Sequence, residues 1–306
     1  MLAIGVASAD HGRPMQRVRL APPSRLDPSR EGRVDAAIAP RRRRLFDPVA
    51  GRVRRVERAI NRFFSREVHP RLTWIHGAYD RTLRNRLQLA EATLALPGLG
   101  AGLDGCRALL ISDLHAGPLV TEGALRSTID RLASLQPDLI LLGGDFVTAR
   151  IAEVAIACRA LAGLSAPLGM FGVPGNHDHY ASDLATLERG LSGVGVTLLV
   201  NRSVSIDRDG ATLCLAGVDD WNVGRPDLDA ALSGCRSDGP VVLLSHNPDA
   251  AVEAARRGVA AVLAGHTHGG QIRIPGLPVL VRMSRYRLDE GRYRVGQAEV
   301  VVSRGL

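Results

Sequence analysis

Nine histidines are spread over this 306-residue chain, and six of them stand in five short polar clusters. The clusters are Asp113-Leu114-His115, Gly143-Gly144-Asp145, Gly175-Asn176-His177-Asp178-His179, Ser245-His246-Asn247 and Gly265-His266-Thr267-His268-Gly269-Gly270. Imidazole, carboxylate and amide donors without a thiolate suit Mn, Fe or Zn. The donors suffice for two ions, and an aspartate can bridge such a pair. Two ions roughly 3.5–4 Å apart can hold a nucleophilic hydroxide and polarise a phosphoryl group. The D-x-H and H-x-H spacings would put two side chains on one side of an extended segment, where both reach one pocket. Glycines beside them let the backbone turn tightly and approach a ligand closely.

Each cluster directly follows an apolar run: 108–111, 139–142, 170–173, 241–244 and 259–264. Ligands of α/β sheets bind in the crevice beyond the C-terminal strand ends, so five such clusters on one edge would make one site. The apolar runs predict strands at 88–94, 107–112, 138–143, 168–173, 196–200, 211–217, 240–245, 259–264 and 297–302. Amphipathic patterns predict helices at 122–135, 151–163, 182–192 and 249–257. Strands alternating with helices mean an α/β layered fold.

Charge divides the chain. Residues 1–90 hold 20 Arg against 8 acidic residues, whereas 91–306 hold 19 Arg against 23, and there is no lysine. The net +8 therefore belongs to the N-terminal part. Residues 1–45, rich in Arg, Pro, Gly and Asp, read as a disordered basic arm. In 46–87 the sequence predicts a helical extension. Val49, Val53, Val56, Ile60 and Phe63 make one apolar stripe, and Arg52, Arg55, Arg58, Arg62 and Arg66 fall mostly off it. A second helix is expected over 70–86. Such a basic helix suits the interface of an anionic membrane, a nucleic acid or an acidic partner; it could equally pack its stripe against the body. The body itself is expected to span 88–306.

No stretch approaches the ~20 apolar residues that cross a bilayer. The opening apolar residues are too short for a signal peptide, and Arg41 to Arg44 lack the apolar segment that a twin-arginine signal needs. Cys106, Cys158, Cys214 and Cys235 show no close spacing, so reduced thiols in a cytoplasmic compartment are expected, the basic helix allowing contact with the inner membrane face.

A lone D-x-H recurs by chance, and a lone histidine after a strand is commonly a surface residue. The force of the pattern lies in five motifs in order, each behind a strand. That order resembles the calcineurin-like metallophosphoesterases over 88–306, and more closely their YkuE/YaeI-type branch. The closer likeness rests on Ser112-Asp113-Leu114-His115, Ala216-Gly217-Val218-Asp219-Asp220, Ser245-His246-Asn247-Pro248-Asp249, the stretch 265–271, and Val302-Ser303-Arg304-Gly305-Leu306. The resemblance implies a four-layer α/β/β/α sandwich of two mixed sheets with the metals at one sheet edge. It implies that Asp113, His115 and His268 hold one divalent ion, that Asn176, His246 and His266 hold a second, and that Asp145 bridges them. His177 would face the scissile phosphate and serve the leaving oxygen.

Three departures bear on activity. Where phosphoprotein phosphatases carry an aspartate that orients the catalytic histidine, this chain has Thr148, and the Arg-Gly that follows is absent. Phe146-Val147-Thr148 offers no tyrosine ligand of the purple acid phosphatase kind. The branch continues past Ser303-Arg304-Gly305 with another strand pair, which leaves the closure of one sheet open. The resemblance implies hydrolysis of a phosphodiester, phosphomonoester or pyrophosphate, with a lipid-linked substrate favoured. A nuclease, a cyclic-nucleotide phosphodiesterase and a metal-binding scaffold without activity are the alternatives. Asp178 and His179 could orient neighbours or cap the surface, and Asp219 and Asp220 have no assigned chemistry. Trp221 could stack on a ligand or pack its loop.

Overall fold

The computed structural model describes residues 1–9, 17–19, 24–25, 63, 67, 87–117, 120–181, 183–236, 238–270 and 283–306. Apart from Phe63 and Glu67, the expected helices of 46–87 lie outside these residues, as does most of the expected disordered arm.

The described strands are β1 (Leu2–Ala9), β2 (Arg17–Arg19), β3 (Ser24–Arg25), β4 (Leu87–Leu94), β5 (Arg107–Ile111), β6 (Leu139–Leu142), β7 (Met170–Gly172), β8 (Val196–Leu198), β9 (Arg202–Arg208), β10 (Ala211–Gly217), β11 (Val241–Leu244), β12 (Ala261–Ala264), β13 (Gly291–Val295) and β14 (Ala298–Val302). The helices are α1 (Glu122–Ala133), α2 (Glu153–Leu161), α3 (Asn176–Tyr180), α4 (Leu184–Ser192), α5 (Leu228–Leu232) and α6 (Ala250–Arg256). One sheet has the order β2-β4-β1-β5-β6-β7-β8, the other β3-β13-β14-β12-β11-β10-β9. The central strands β5 to β8 run parallel, as do β10, β11, β12 and β14, and antiparallel pairs flank them, so both sheets are mixed.

Pleating sorts the apolar runs into layers, because successive side chains of a strand point to opposite faces. Leu109, Ile111, Ile140 and Leu142 pack outward against Leu125, Ile129 and Leu132 of α1, with α2 and α4 beside them. Ala108, Leu110, Leu139 and Leu141 point inward and meet Leu213, Leu215, Val242, Leu244 and Leu263 of the second sheet. On that sheet's far side Leu243, Val262 and Val300 pack against α5 and α6. The result is the four-layer α/β/β/α sandwich. Continuous apolar runs, not alternating ones, are what strands covered on both faces require.

All nine expected strands and all four expected body helices are present, with ends displaced by a few residues. β2, β3, β9 and β13 were not expected: β2 and β3 fall in the stretch expected to be disordered, and Arg202–Arg208 and Gly291–Val295 carry no continuous apolar run. The larger correction concerns Leu2–Ala9, which was read as part of a disordered arm. β1 lies between β4, antiparallel, and β5, parallel. Leu2, Ile4 and Val6 enter the core between the sheets. Eight apolar and small residues were submerged by the composition of the Arg- and Pro-rich stretch that follows. The chain's last residue is buried too, its amide donating to the Ser112 carbonyl at 3.1 Å.

A second correction concerns the thiols. Cys214 of β10 and Cys235 are joined by a disulfide across a Cα separation of 5.5 Å, while Cys106 and Cys158 are free. The bonded pair lies 21 positions apart in sequence, and only the return of the chain through α5 brings them together.

Ile4 is 1% exposed, so its truncation tests the place of β1. Ile4→Ala should cost about 2–5 kcal/mol, the usual range for an emptied core site. Urea unfolding measures it, and a loss within a few tenths would mean that Leu2–Ala9 is not core.

Candidate active site

Every motif flagged in the sequence lies just beyond a strand end, and the two sheets bring all five to one edge. β5 delivers Asp113 and His115, β6 delivers Asp145, β11 His246 and β12 His266 and His268; β7 leads into α3, which starts at Asn176 and His177. The extended geometry expected for D-x-H and H-x-H is not what is found. Asp113, His115, Asp145, His266 and His268 all have left-handed backbone, with φ of 57°, 45°, 53°, 73° and 50°. Side chains two apart converge here through tight turns, an uncommon conformation for residues with a Cβ. Two glycines make the closeness tolerable. A Cβ on Gly265 would stand 2.5 Å from Asp113 Oδ2, and one on Gly175 would overlap Asp145 Oδ1.

Two constellations of donor atoms result. In one, His115 Nε2 is 3.3 Å from His268 Nε2, which is 3.5 Å from Asp113 Oδ1. In the other, His246 Nε2 is 3.2 Å from Asn176 Oδ1 and 3.1 Å from His266 Nδ1. Asp145 Oδ2 joins them, 3.6 Å from His115 Nε2 and 3.3 Å from His246 Nε2. Donors about 2.1 Å from a shared cation in a tetrahedron stand roughly 3.4 Å apart. The donor set fits cations better than protons. His246 Nε2 faces three polar atoms, and a single N–H cannot serve all three. Its Nδ1–H is already committed to the Gly143 carbonyl at 2.7 Å, which leaves the Nε2 lone pair for a metal.

Charge in this pocket is tightly linked. Burial alone would lower the His246 pKa, but the Asp145 carboxylate holds it well above the ordinary histidine value. Burial would raise Asp145, and His246 with the neighbouring imidazoles holds it well below the carboxylate range. His266 is pushed down to about 3 by burial and by His246.

His177 stands beside the first constellation, its ring edge-on to His115 with centroids 4.7 Å apart. Its backbone N–H donates to Asp145 Oδ1 at 2.8 Å, and its Nδ1 is 2.6 Å from the Thr148 carbonyl. The residue that departs from the phosphatase pattern thus still holds this histidine, through its backbone. His177 also lies with His115 and Asp145 in a group whose donor atoms are all within 4.8 Å.

The residues left open in the sequence have definite places. Asp178 is buried, and its carboxylate accepts from Gly175 N at 2.8 Å and Val147 N at 3.2 Å, tying α3 to the loop after β6. Burial, and then the charge of Asp145, raise its pKa to about 7. His179 Nε2 bonds Asp219 Oδ1 at 2.6 Å. Asp219 also accepts from Asp220 N and Arg225 N, and Asp220 from Asn222 N and Val223 N, so the pair of aspartates shapes the loop after β10. Trp221 packs against the outer core of the second sheet, which is the packing alternative. That loop sets Asn222 Nδ2 3.2 Å from His266 Nε2, a contact no sequence pattern marked.

Two mixed sheets with these donors at their shared edge are the form of a metallophosphoesterase domain. The family model for calcineurin-like phosphoesterases matches residues 106–270, and the chain belongs to that family. A protein named "Transmembrane protein with metallophosphoesterase domain" from Danio rerio is 32% identical over 60% of this chain; the chain spans 45% of that relative's length. The metallophosphoesterase YkuE of Bacillus subtilis is 31% identical over 74% of this chain and 82% of its own, which places the chain in the YkuE-type branch. "UDP-2,3-diacylglucosamine pyrophosphatase LpxG" of Chlamydia trachomatis is 27% identical over 67% of this chain and 76% of its own. Among the described residues no helix is long and apolar enough to cross a membrane.

The His179–Asp219 pair predicts a pH signature. Burial would lower His179, but its bond to Asp219 raises it above the ordinary histidine value. Burial would raise Asp219, and the same bond lowers it. The raised imidazole stabilises the fold fully below about pH 6.5, the unfolded value, and that contribution is lost as pH rises through the folded value. The lowered carboxylate contributes above about pH 3.9 and is lost as pH falls through its folded value. His179→Gln should therefore destabilise most near about pH 6, and the gap should shrink as pH rises through the folded value of the imidazole. Urea titrations of both proteins measure this, and a pH-independent gap would contradict the pairing.

Proposed function

We propose that this chain hydrolyses phosphoester bonds using two divalent ions, Mn, Fe or Zn. Asp113, His115 and His268 would hold the first, Asn176, His246 and His266 the second, and Asp145 would serve both. The observation that carries this reading is the pair of donor constellations joined at Asp145 Oδ2. Bound ions there acidify water and polarise the phosphoryl group. The chain's own residues do the rest. Left-handed turns at the strand ends fix the donors, so little reorganisation is needed at the moment of reaction. His177, its Nδ1–H donated to Thr148, presents Nε2 to the leaving oxygen and gives it a proton. Attack in line with the leaving group requires no covalent enzyme intermediate.

A lipid-linked pyrophosphate is the substrate class we favour. Its support is the similarity to the pyrophosphatase of Chlamydia trachomatis and to relatives named as transmembrane proteins. The basic residues before 90 keep a nuclease or cyclic-nucleotide phosphodiesterase as the alternative. A metal-reconstituted screen with UDP-2,3-diacylglucosamine, bis-p-nitrophenyl phosphate, cyclic nucleotides and single-stranded DNA separates them.

Two outcomes are expected. Elemental analysis after Mn reconstitution should give two metals per chain, and Asp145→Asn should lower that content and abolish turnover. One metal in the wild type would refute the binuclear reading, and two metals without any phosphoesterase activity would favour an inactive scaffold. His177→Ala should keep both metals and lower kcat by about 100- to 10,000-fold on a substrate whose leaving oxygen needs a proton. Loss of a metal instead would make His177 a ligand.

A further inference from the structure

The loop between β6 and α2 carries Phe146-Val147-Thr148-Ala149-Arg150, and its course decides where the Thr148 carbonyl points. Backbone bonds to Ala116 hold its start, with Ala116 N donating to the Phe146 carbonyl at 3.0 Å and Thr148 N to the Ala116 carbonyl at 3.1 Å, and one buried carboxylate oxygen gathers the amides that follow. Glu153 Oε2 accepts the backbone N–H groups of Thr148 at 2.9 Å, Ala149 at 2.8 Å and Arg150 at 3.0 Å. Glu153 is only 5% exposed, although it is an acidic residue in the first turn of a helix. A carboxylate is kept out of water only where strong donors repay its lost hydration, and three amides on one oxygen do so. The same loop is fastened elsewhere. Thr148 Oγ1 donates to the His115 carbonyl at 3.0 Å, and Val147 N to Asp178 at 3.2 Å. The free side of the Thr148 peptide is its carbonyl, and that group meets His177 Nδ1.

We propose that Glu153 is a positioning residue for His177. Its carboxylate locks the 148–150 backbone so that the Thr148 carbonyl holds Nδ1–H, which fixes the ring's orientation and leaves Nε2 for the leaving oxygen. A side-chain carboxylate acting directly on the imidazole is thereby replaced by one acting through a peptide group. The proposal rests on His177 as the leaving-group acid. It differs from a plain structural role for Glu153 because the effect must depend on how much the leaving group needs a proton. Bis-p-nitrophenyl phosphate releases a nitrophenolate that leaves unaided, whereas diphenyl phosphate releases a phenolate that requires protonation.

The test is a kinetic cycle on the Mn-loaded full chain with both diesters, metal content being measured for each variant. Glu153→Ala should lower kcat by about 10- to 100-fold on diphenyl phosphate and by less than about 3-fold on bis-p-nitrophenyl phosphate, with KM unchanged. Glu153→Gln, which keeps an acceptor oxygen, should recover part of the loss. Added to His177→Ala, Glu153→Ala should have no further effect on either substrate, because residues acting as one unit are not additive. In the Zn-loaded chain the His177 Nδ1–H should give a downfield, slowly exchanging proton signal that Glu153→Ala weakens and Glu153→Gln retains. Equal losses on the two diesters, or losses that add to those of His177→Ala, would overturn the proposal. If His177→Ala itself leaves kcat intact on both, the acid role fails separately, and the Nδ1–H signal still decides whether Glu153 orients the ring. Should Glu153→Ala not fold, the cycle with Glu153→Gln carries the same criteria.

Discussion

The Asp145 carboxylate is 2% exposed, yet it sits among six other polar donors at the meeting of two sheets. An anion in such a place needs positive charge or several hydrogen bonds, since the loss of hydration otherwise costs several kcal/mol. Asp145 has both. Oδ1 accepts the His177 amide, and Oδ2 lies within 3.6 Å of His115 and His246. Asp145 and His246 favour each other's charged form, which is why their shifts are opposed. Divalent ions at the proposed positions would add fixed positive charge beside this carboxylate. The surrounding architecture serves to keep this one carboxylate and its neighbours within reach of one another.

That demand appears first in the backbone. Left-handed residues other than glycine are costly, on the order of 1–3 kcal/mol each, and persist where the surroundings over-determine them. Five of the seven proposed ligands are of this kind. The strain is held by the parallel ladders of β5 with β6 and of β11 with β12, whose buried apolar residues fix the strand ends. Rigid strands ending in strained turns give donors that are placed before any ion or substrate arrives.

A second tier of carboxylates holds the loops that carry these donors. Asp178 ties α3 to Val147, Asp219 ties His179 to the loop after β10, and Glu153 gathers three amides beside Thr148. Each is turned toward backbone or a neighbouring side chain and not toward the metal positions. Such outer partners tune ligand orientation in metal sites generally. Asn222 against His266 is of the same kind.

The family and the rhythm of the body are legible in local pattern. Apolar runs long enough for a strand, each followed by a polar cluster, specify buried strands and strand-end chemistry through local pattern alone. The strand-end positions of Asp113, Asp145, His246 and His266 were legible for that reason. The remaining features depend on contacts between distant segments. Leu2–Ala9 becomes a central strand because β4 and β5 supply ladders on both sides, and no local pattern reveals partners some ninety residues away. Cys214 meets Cys235 only after the chain turns through α5. His177 finds its holder in a carbonyl, which every residue has and no motif can mark; Thr148 looked like a missing group when only its side chain was read. Local sequence fixes which side chains are available, while the packing of two sheets fixes which backbone groups they meet.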